Sequence, residues 1–337
     1  MTFRIRKTLR SSARMHVWLM AIVTPAIVAI RMPVAMAATP PTAGIAVRNL
    51  MPDFWNFWHA AQDKAADAQL KLWRDLYQDR NAGVFAGLQG TCGKDLRPAV
   101  LQKEYFPILK GLVPGMRALS ASLPNTIVSA EAGFTRAFPD MHWRGPIYIM
   151  ASVGCFNGRS QLIQGQQALL LGVDDMVGLH ETNARPLITH EMFHRYHYSH
   201  FAFEPELPQP LWVRLWAEGL ATFVAHRLNP GASTYELTWI SPGEISRMDS
   251  QMGVMTRRFV RRLDSTSQAD ADAYFSDSSR DEHVPARAGY YMGLEIARYL
   301  TRQYSMQTMA HWDRAQAKPH ILAALRYLAM GGSAFAP

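Results

Sequence analysis

The segment Thr189-His190-Glu191-Met192-Phe193-His194 is an HExxH sequence inside a run that otherwise reads as an amphipathic helix. Positions i and i+4 of a helix share a face. His190 and His194 can therefore present two imidazoles to one metal ion, with Glu191 beside them as a candidate general base. The run opens at Asn183-Ala184-Arg185-Pro186, where a proline suits the first helical turn, and is expected to continue to about Ser199. Five residues of pattern do not make a site, so the rest of the chain has to supply the context.

A catalytic zinc site takes three protein ligands and leaves one position open. Two residues downstream are candidates for the third. Phe203 to Pro210 carries three prolines and must turn the chain, and Leu211 to Leu228 reads as the next helix, stopped by Asn229-Pro230-Gly231. Within that helix Glu218 is a lone carboxylate among apolar and small residues, where burial would demand a partner such as a metal. Gly219 and Ala221 would allow close packing on the preceding helix, and Thr222, one turn on, could hydrogen-bond a ligand. The other candidate is His200, ten residues after His190, at the spacing of HExxHxxGxxH. That pattern needs glycine where this chain has His197, and a helix continuing through His197 would point His200 away from the His190/His194 face. His197 itself is expected to be a supporting or surface histidine.

Upstream of the helix the texture changes. Pro146 to Ser152 and Ala168 to Val173 read as two strands joined by a Gly/Asn loop (Gly154, Asn157, Gly158), giving an antiparallel pair or part of a small sheet. Helical spacing of aromatic and apolar residues marks Pro52 to Tyr77, and helices are expected over Ala99 to Leu119 and Pro124 to Phe138, broken at prolines. The C-terminal part reads as helices near Pro242 to Leu263, Pro285 to Tyr304 and Lys318 to Met330. The predicted class is α+β: mostly helical, with a small central antiparallel or mixed sheet.

The first 37 residues have the layout of a secretory signal, with a basic start, the apolar run Val17 to Ile30 and Ala35-Met36-Ala37 as a cleavage site. The alternative is one N-terminal membrane anchor, although the apolar run is short and contains Pro25. The chain carries a formal charge of +8, but residues 1–37 hold six basic residues and no acidic one, leaving 29 basic against 27 acidic beyond them. A near-balanced remainder does not support a nucleic-acid partner, and no later segment approaches membrane-spanning length. The expected organisation is a signal peptide at 1–37, an N-terminal helical region at 38–143 and a catalytic region at 144–337. The location is expected to be periplasmic or secreted. Cys92 and Cys155 are the only cysteines. In an oxidising compartment they could bridge, and otherwise they are two unrelated thiols.

HExxH on one helix followed by Glu218-Gly219 on the next resembles the gluzincin arrangement of thermolysin-like zinc peptidases. Arg287-Ala288-Gly289-Tyr290-Tyr291-Met292-Gly293 resembles the GYxxG helix opening that follows HExxH and EG motifs in a family of predicted zinc-dependent proteases. The likeness runs from about Ile147 to Leu300. It implies a zincin-like fold, Zn2+ held by His190, His194 and Glu218, and Glu191 as the base that takes a proton from the attacking water. It also makes Tyr290 or Tyr291 a donor to the oxyanion, unless both merely pack between helices. Arg287 is a candidate for a substrate carboxylate, and Tyr148 to Ser152 would be the sheet edge offered to a peptide. The expected function is an exported zinc metallopeptidase acting on peptide or protein. A catalytically idle zincin-like binding or envelope protein and a zinc hydrolase of a non-peptide substrate are the competing readings. The oligomeric state is unassigned.

Overall fold

The computed structural model describes residues 45–143, 145–181, 183–203, 207–278 and 284–332. Two compact units divide the chain, Met1–Gly44 and Ile45–Pro337. The predicted signal peptide falls in the first and lies outside the described residues. The second unit holds the N-terminal helices and the HExxH region together.

The described chain is mostly helical around one four-stranded mixed sheet. It begins with strand β1 (Val47–Asn49), then helices α1 (Met51–Ala61) and α2 (Ala66–Trp73). A π turn and a 3-10 turn lead into α3 (Ala82–Cys92). A short turn α4 (Pro98–Val100) precedes the long helix α5 (Phe106–Ala137). The aromatic stripe predicted for this region is core: Phe54, Phe57, Trp73 and Tyr77 are fully buried and meet edge to face.

Helix α5 corrects the expected break at prolines. Pro114 and Pro124 lie inside it. Its buried stripe runs Leu109, Val113, Met116, Ser120, Leu123, Ile127, Ala130, Phe134 at alternating spacings of four and three. Pro114 is exposed and Pro124 half-buried, so neither ring takes a place in that buried stripe.

Next come β2 (Ile147–Met150), β3 (Gly158–Ile163) and β4 (Gln166–Gly172), in the sheet order β1-β2-β4-β3. Of the two arrangements expected for the predicted strands, β2 and β4 adopt the second, as parts of a small mixed sheet: they run parallel with Ile147 opposite Leu169, while the stretch read as a loop supplies β3, antiparallel to β4. One expectation is overturned here. The segment expected at the sheet edge, Tyr148 to Ser152, is interior. β2 is flanked by β1 and β4, and the free edge on the other side belongs to β3. β2 and the end of β4 are buried throughout, as a strand covered on both faces must be.

Helices α6 (Val173–Gly178), α7 (Arg185–Phe201) and α8 (Leu211–Leu228) follow. Then come α9 (Thr234–Thr238), α10 (Pro242–Val260), α11 (Gln268–Phe275), α12 (Ala288–Leu300), α13 (Met306–Ala310) and α14 (Arg314–Ala329). Helix α8 is buried on nearly every side. It crosses α12 so closely that a Cβ on Gly219 would lie 2.3 Å from the Gly293 Cα. Only glycine at both places permits backbone-to-backbone contact.

Cys92 is the last residue of α3. It is disulfide-bonded to Cys155 in the turn that leads from β2 towards β3. Asp174, at the start of α6, accepts hydrogen bonds from Ser152 N at 2.6 Å, Ser152 Oγ at 3.0 Å and Gly154 N at 2.9 Å, which fixes the other side of that turn. Among the described residues no helix is long and apolar enough to cross a membrane.

Candidate metal centre

Helix α7 begins where the sequence places it: Ala184 is the N-cap, Pro186 sits in the first turn, and the Asn183 side-chain oxygen accepts from Arg185 N at 3.3 Å. One turn in, His190 and His194 are both buried, with ring centroids 4.5 Å apart. His190, Glu191 and His194 each offer a donor atom, and these atoms lie within 4.8 Å of one another, so the group could hold a metal ion.

Helix α8 brings in a further carboxylate. Glu218 Oε2 lies 3.3 Å from His190 Nε2 and 3.2 Å from His194 Nε2. Donor atoms at about 2.1 Å around a tetrahedral zinc ion stand about 3.4 Å apart. Both separations to Glu218 thus match that spacing, and two imidazoles with one carboxylate are suitable donors for zinc. Glu218 Oε2 is nearly equidistant from the two ring nitrogens. Burial pushes the Glu218 carboxyl up, but His194 and His190 more than offset this and hold it well below the usual carboxylate range. Glu191 goes the other way: burial pushes its carboxyl up to about 7, opposed by His190 and reinforced by Glu218. Two carboxyls a few ångströms apart are thereby driven to different roles, one ionised and one poised near neutrality. The Nδ1 atoms of both histidines are buried without a partner.

An open pocket of about 300 Å³ sits over this group. Its strand wall is Asn157, Gly158, Arg159 and Ser160, and its far walls include Arg214, Trp239, Arg287 and Tyr290. Gly158 is required there, because a Cβ would lie 2.9 Å from Glu191 Cγ. Tyr290 faces the site, its ring 6.4 Å from that of His190, and burial pushes its hydroxyl well up, so it stays protonated. Tyr291 does not line the pocket; its hydroxyl donates to Asp249 Oδ1 at 2.5 Å, on α10. Arg287 lines the pocket, pairs with Asp277, and lies 5.1 Å over the Trp239 ring and 5.5 Å over Tyr290. Arg287 and Trp239 both have positive φ, 60° and 54°. Left-handed backbone at two non-glycine residues that meet at one pocket wall is strain of the kind kept at functional sites.

The remaining candidates lie elsewhere. Thr222 Oγ1 donates to the backbone carbonyl of Glu218 at 2.8 Å, not to its carboxylate. His197 is no surface residue: it is fully buried, stacked between Phe193 and Phe201, with neither ring nitrogen partnered. His200, the alternative third ligand, faces Asp140 and His311 instead. Sequence reasoning missed Tyr198 and Arg214, which both line the pocket. The signal was available: Tyr198 continues His190 and His194 by another four residues, and Arg214 precedes Glu218 by four.

No protein-family model, curated protein or solved structure matches this chain.

Proposed function

We propose that this protein is an exported zinc metallopeptidase, with Zn2+ held by His190, His194 and Glu218 and with Glu191 as general base. The observation that carries the reading is the convergence of both Nε2 atoms on one Glu218 oxygen at 3.3 and 3.2 Å, with a second carboxyl beside them. Zinc bound there would supply Lewis acidity, lowering the pKa of water and polarising a carbonyl. Glu191, raised to about 7 by burial, is suited to accept the attacking water's proton and return it to the leaving amine. Tyr290, protonated and on the pocket wall, is the side-chain donor for the developing oxyanion. An extended peptide fits as an added strand on β3, the edge strand that forms a wall of the pocket. The basic start, apolar run and Ala35-Met36-Ala37 support export.

The test is zinc content together with chelator-sensitive cleavage of an unstructured protein. Glu191→Gln is expected to keep zinc and to lower kcat by about 10²- to 10⁴-fold. Glu218→Ala is expected to lose the ion. Near-normal turnover by Glu191→Gln would overturn the mechanism. Zinc without cleavage across a broad peptide library would transfer the site to a non-peptide hydrolase, and absence of metal would leave a binding protein.

A further inference from the structure

The histidine that the pocket leaves out lies in a second group. His200 is in the last turn of α7, Asp140 follows α5, and His311 caps α13. One donor atom from each lies within 4.8 Å of the others. Three separate parts of the fold thus send an imidazole, an imidazole and a carboxylate to one point.

The hydrogen bonds define the protonation of this group. His311 Nδ1 is 2.7 Å from the Gln307 carbonyl, which can only accept, so Nδ1 carries the proton and Nε2 of the neutral ring presents a lone pair. That Nε2 is 3.0 Å from Asp140 Oδ2, an acceptor facing an acceptor. Tyr196 Oη lies 2.8 Å from Asp140 Oδ2 and 2.9 Å from His311 Nε2, but it has one proton for the two of them. A doubly protonated His311 meets both neighbours, donating from Nδ1 to the Gln307 carbonyl and from Nε2 to Asp140. That arrangement gives His200, whose ring centroid lies 4.7 Å from that of His311, no part in it. A divalent cation in place of the Nε2 proton would engage both imidazoles and the carboxylate together. A backbone carbonyl holding the remote ring N–H of a histidine, with a hydroxyl holding the carboxylate, is how metal-ligating side chains are oriented.

We propose that Asp140, His200 and His311 form a second metal site, for a divalent transition ion of the zinc class. The donor set selects that class: two imidazoles favour zinc, copper or nickel over magnesium or calcium. Asp140 and His311 are exposed and His200 half-buried, so the ion keeps a position open to water. Bound there, it ties the end of α5, the end of α7 and the start of the C-terminal helices together. The site shares no residue with the pocket.

The full chain, stripped with chelator and titrated with micromolar Zn2+, is expected to bind two ions. His190→Ala/His194→Ala, with all three residues of the second group intact, is expected to keep one ion, and His200→Ala to lose one from the wild-type count. Tyr196→Phe should weaken that ion by about 10- to 100-fold. One ion in both the wild type and His190→Ala/His194→Ala would support this site while sinking the zinc reading of the pocket. A wild type binding one ion and a pocket variant binding none would overturn the proposal, as would binding to the second group only at millimolar zinc. Should the pocket variant fail to fold, an unchanged wild-type count in His200→Ala, a change at the half-buried end of α7, overturns it equally.

Discussion

At the scale of single residues, the fate of each histidine on α7 follows from where the helix face carrying it ends up. His190 and His194 share the stripe that meets α8, and His200 leaves it, as the helical spacing requires. His197 lies near that face at i+7 from His190, and Phe193 and Phe201, four residues to either side of it, stack on its ring. Burial, with smaller contributions from His194 and His200, pushes its imidazole well below the ordinary value of 6.5. The unfolded chain therefore takes up a proton below about pH 6.5 that the folded one refuses. Stability is fully present above that pH and falls as the pH drops, by up to about 1.4 kcal/mol per unit. Denaturant titrations at pH 7.5, 6 and 5 should show His197→Leu losing less stability on acidification than the wild type. Parallel losses would show that this imidazole is not the cause.

At the scale of elements, the helices bounded by clear stop signals were legible, whereas α3, the continuity of α5 through its prolines and the strand relations were not. Helix α8 spans Leu211 to Leu228, the limits its proline turn and Asn-Pro-Gly stop define. A buried apolar run such as Leu169 to Leu171 identifies a strand but carries no information about direction. Polar, half-exposed β3 lacks even the run. The candidate site was legible to the extent that it rests on helical spacing: His190, His194 and Glu218 come together in the structure, whereas the wall from β3 depends on a strand that the sequence hides. The α8/α12 crossing makes its own prediction. Ala at Gly219 puts a methyl group against the Gly293 backbone, which cannot yield as a side-chain tip could. Gly219→Ala should destabilise the fold by about 1–3 kcal/mol as overpacking, and it should also weaken zinc binding, because Glu218 is the preceding residue. Thermal unfolding and zinc affinity measured on the same variant would check both; loss of neither would mean that the helices separate freely.

At the scale of the whole molecule, the N-terminal helices and helix α7 share one compact unit, and the Cys92–Cys155 bridge ties α3 to the turn before β3 across 63 residues of sequence. In the chain-entropy picture a loop of that length stabilises the folded state by about 4 kcal/mol. Reduction, or Cys155→Ser, is expected to lower stability by that order, readable as a fall in Tm; an unchanged Tm would show that the packing around Phe54, Trp73 and Tyr77 suffices alone. The contact between Gly219 and Gly293 has a wider consequence. With no side chain between the two backbones, Glu218 and Tyr290 ride on one unyielding block, and neither can be adjusted without the other. The opposite wall is the edge strand β3, where Gly158 is held against Glu191 but Arg159 and Ser160 are under no such backbone constraint. Variation that adapts this pocket to new substrates should therefore accumulate on the strand side, leaving the paired helices as the fixed jaw against which it is tuned.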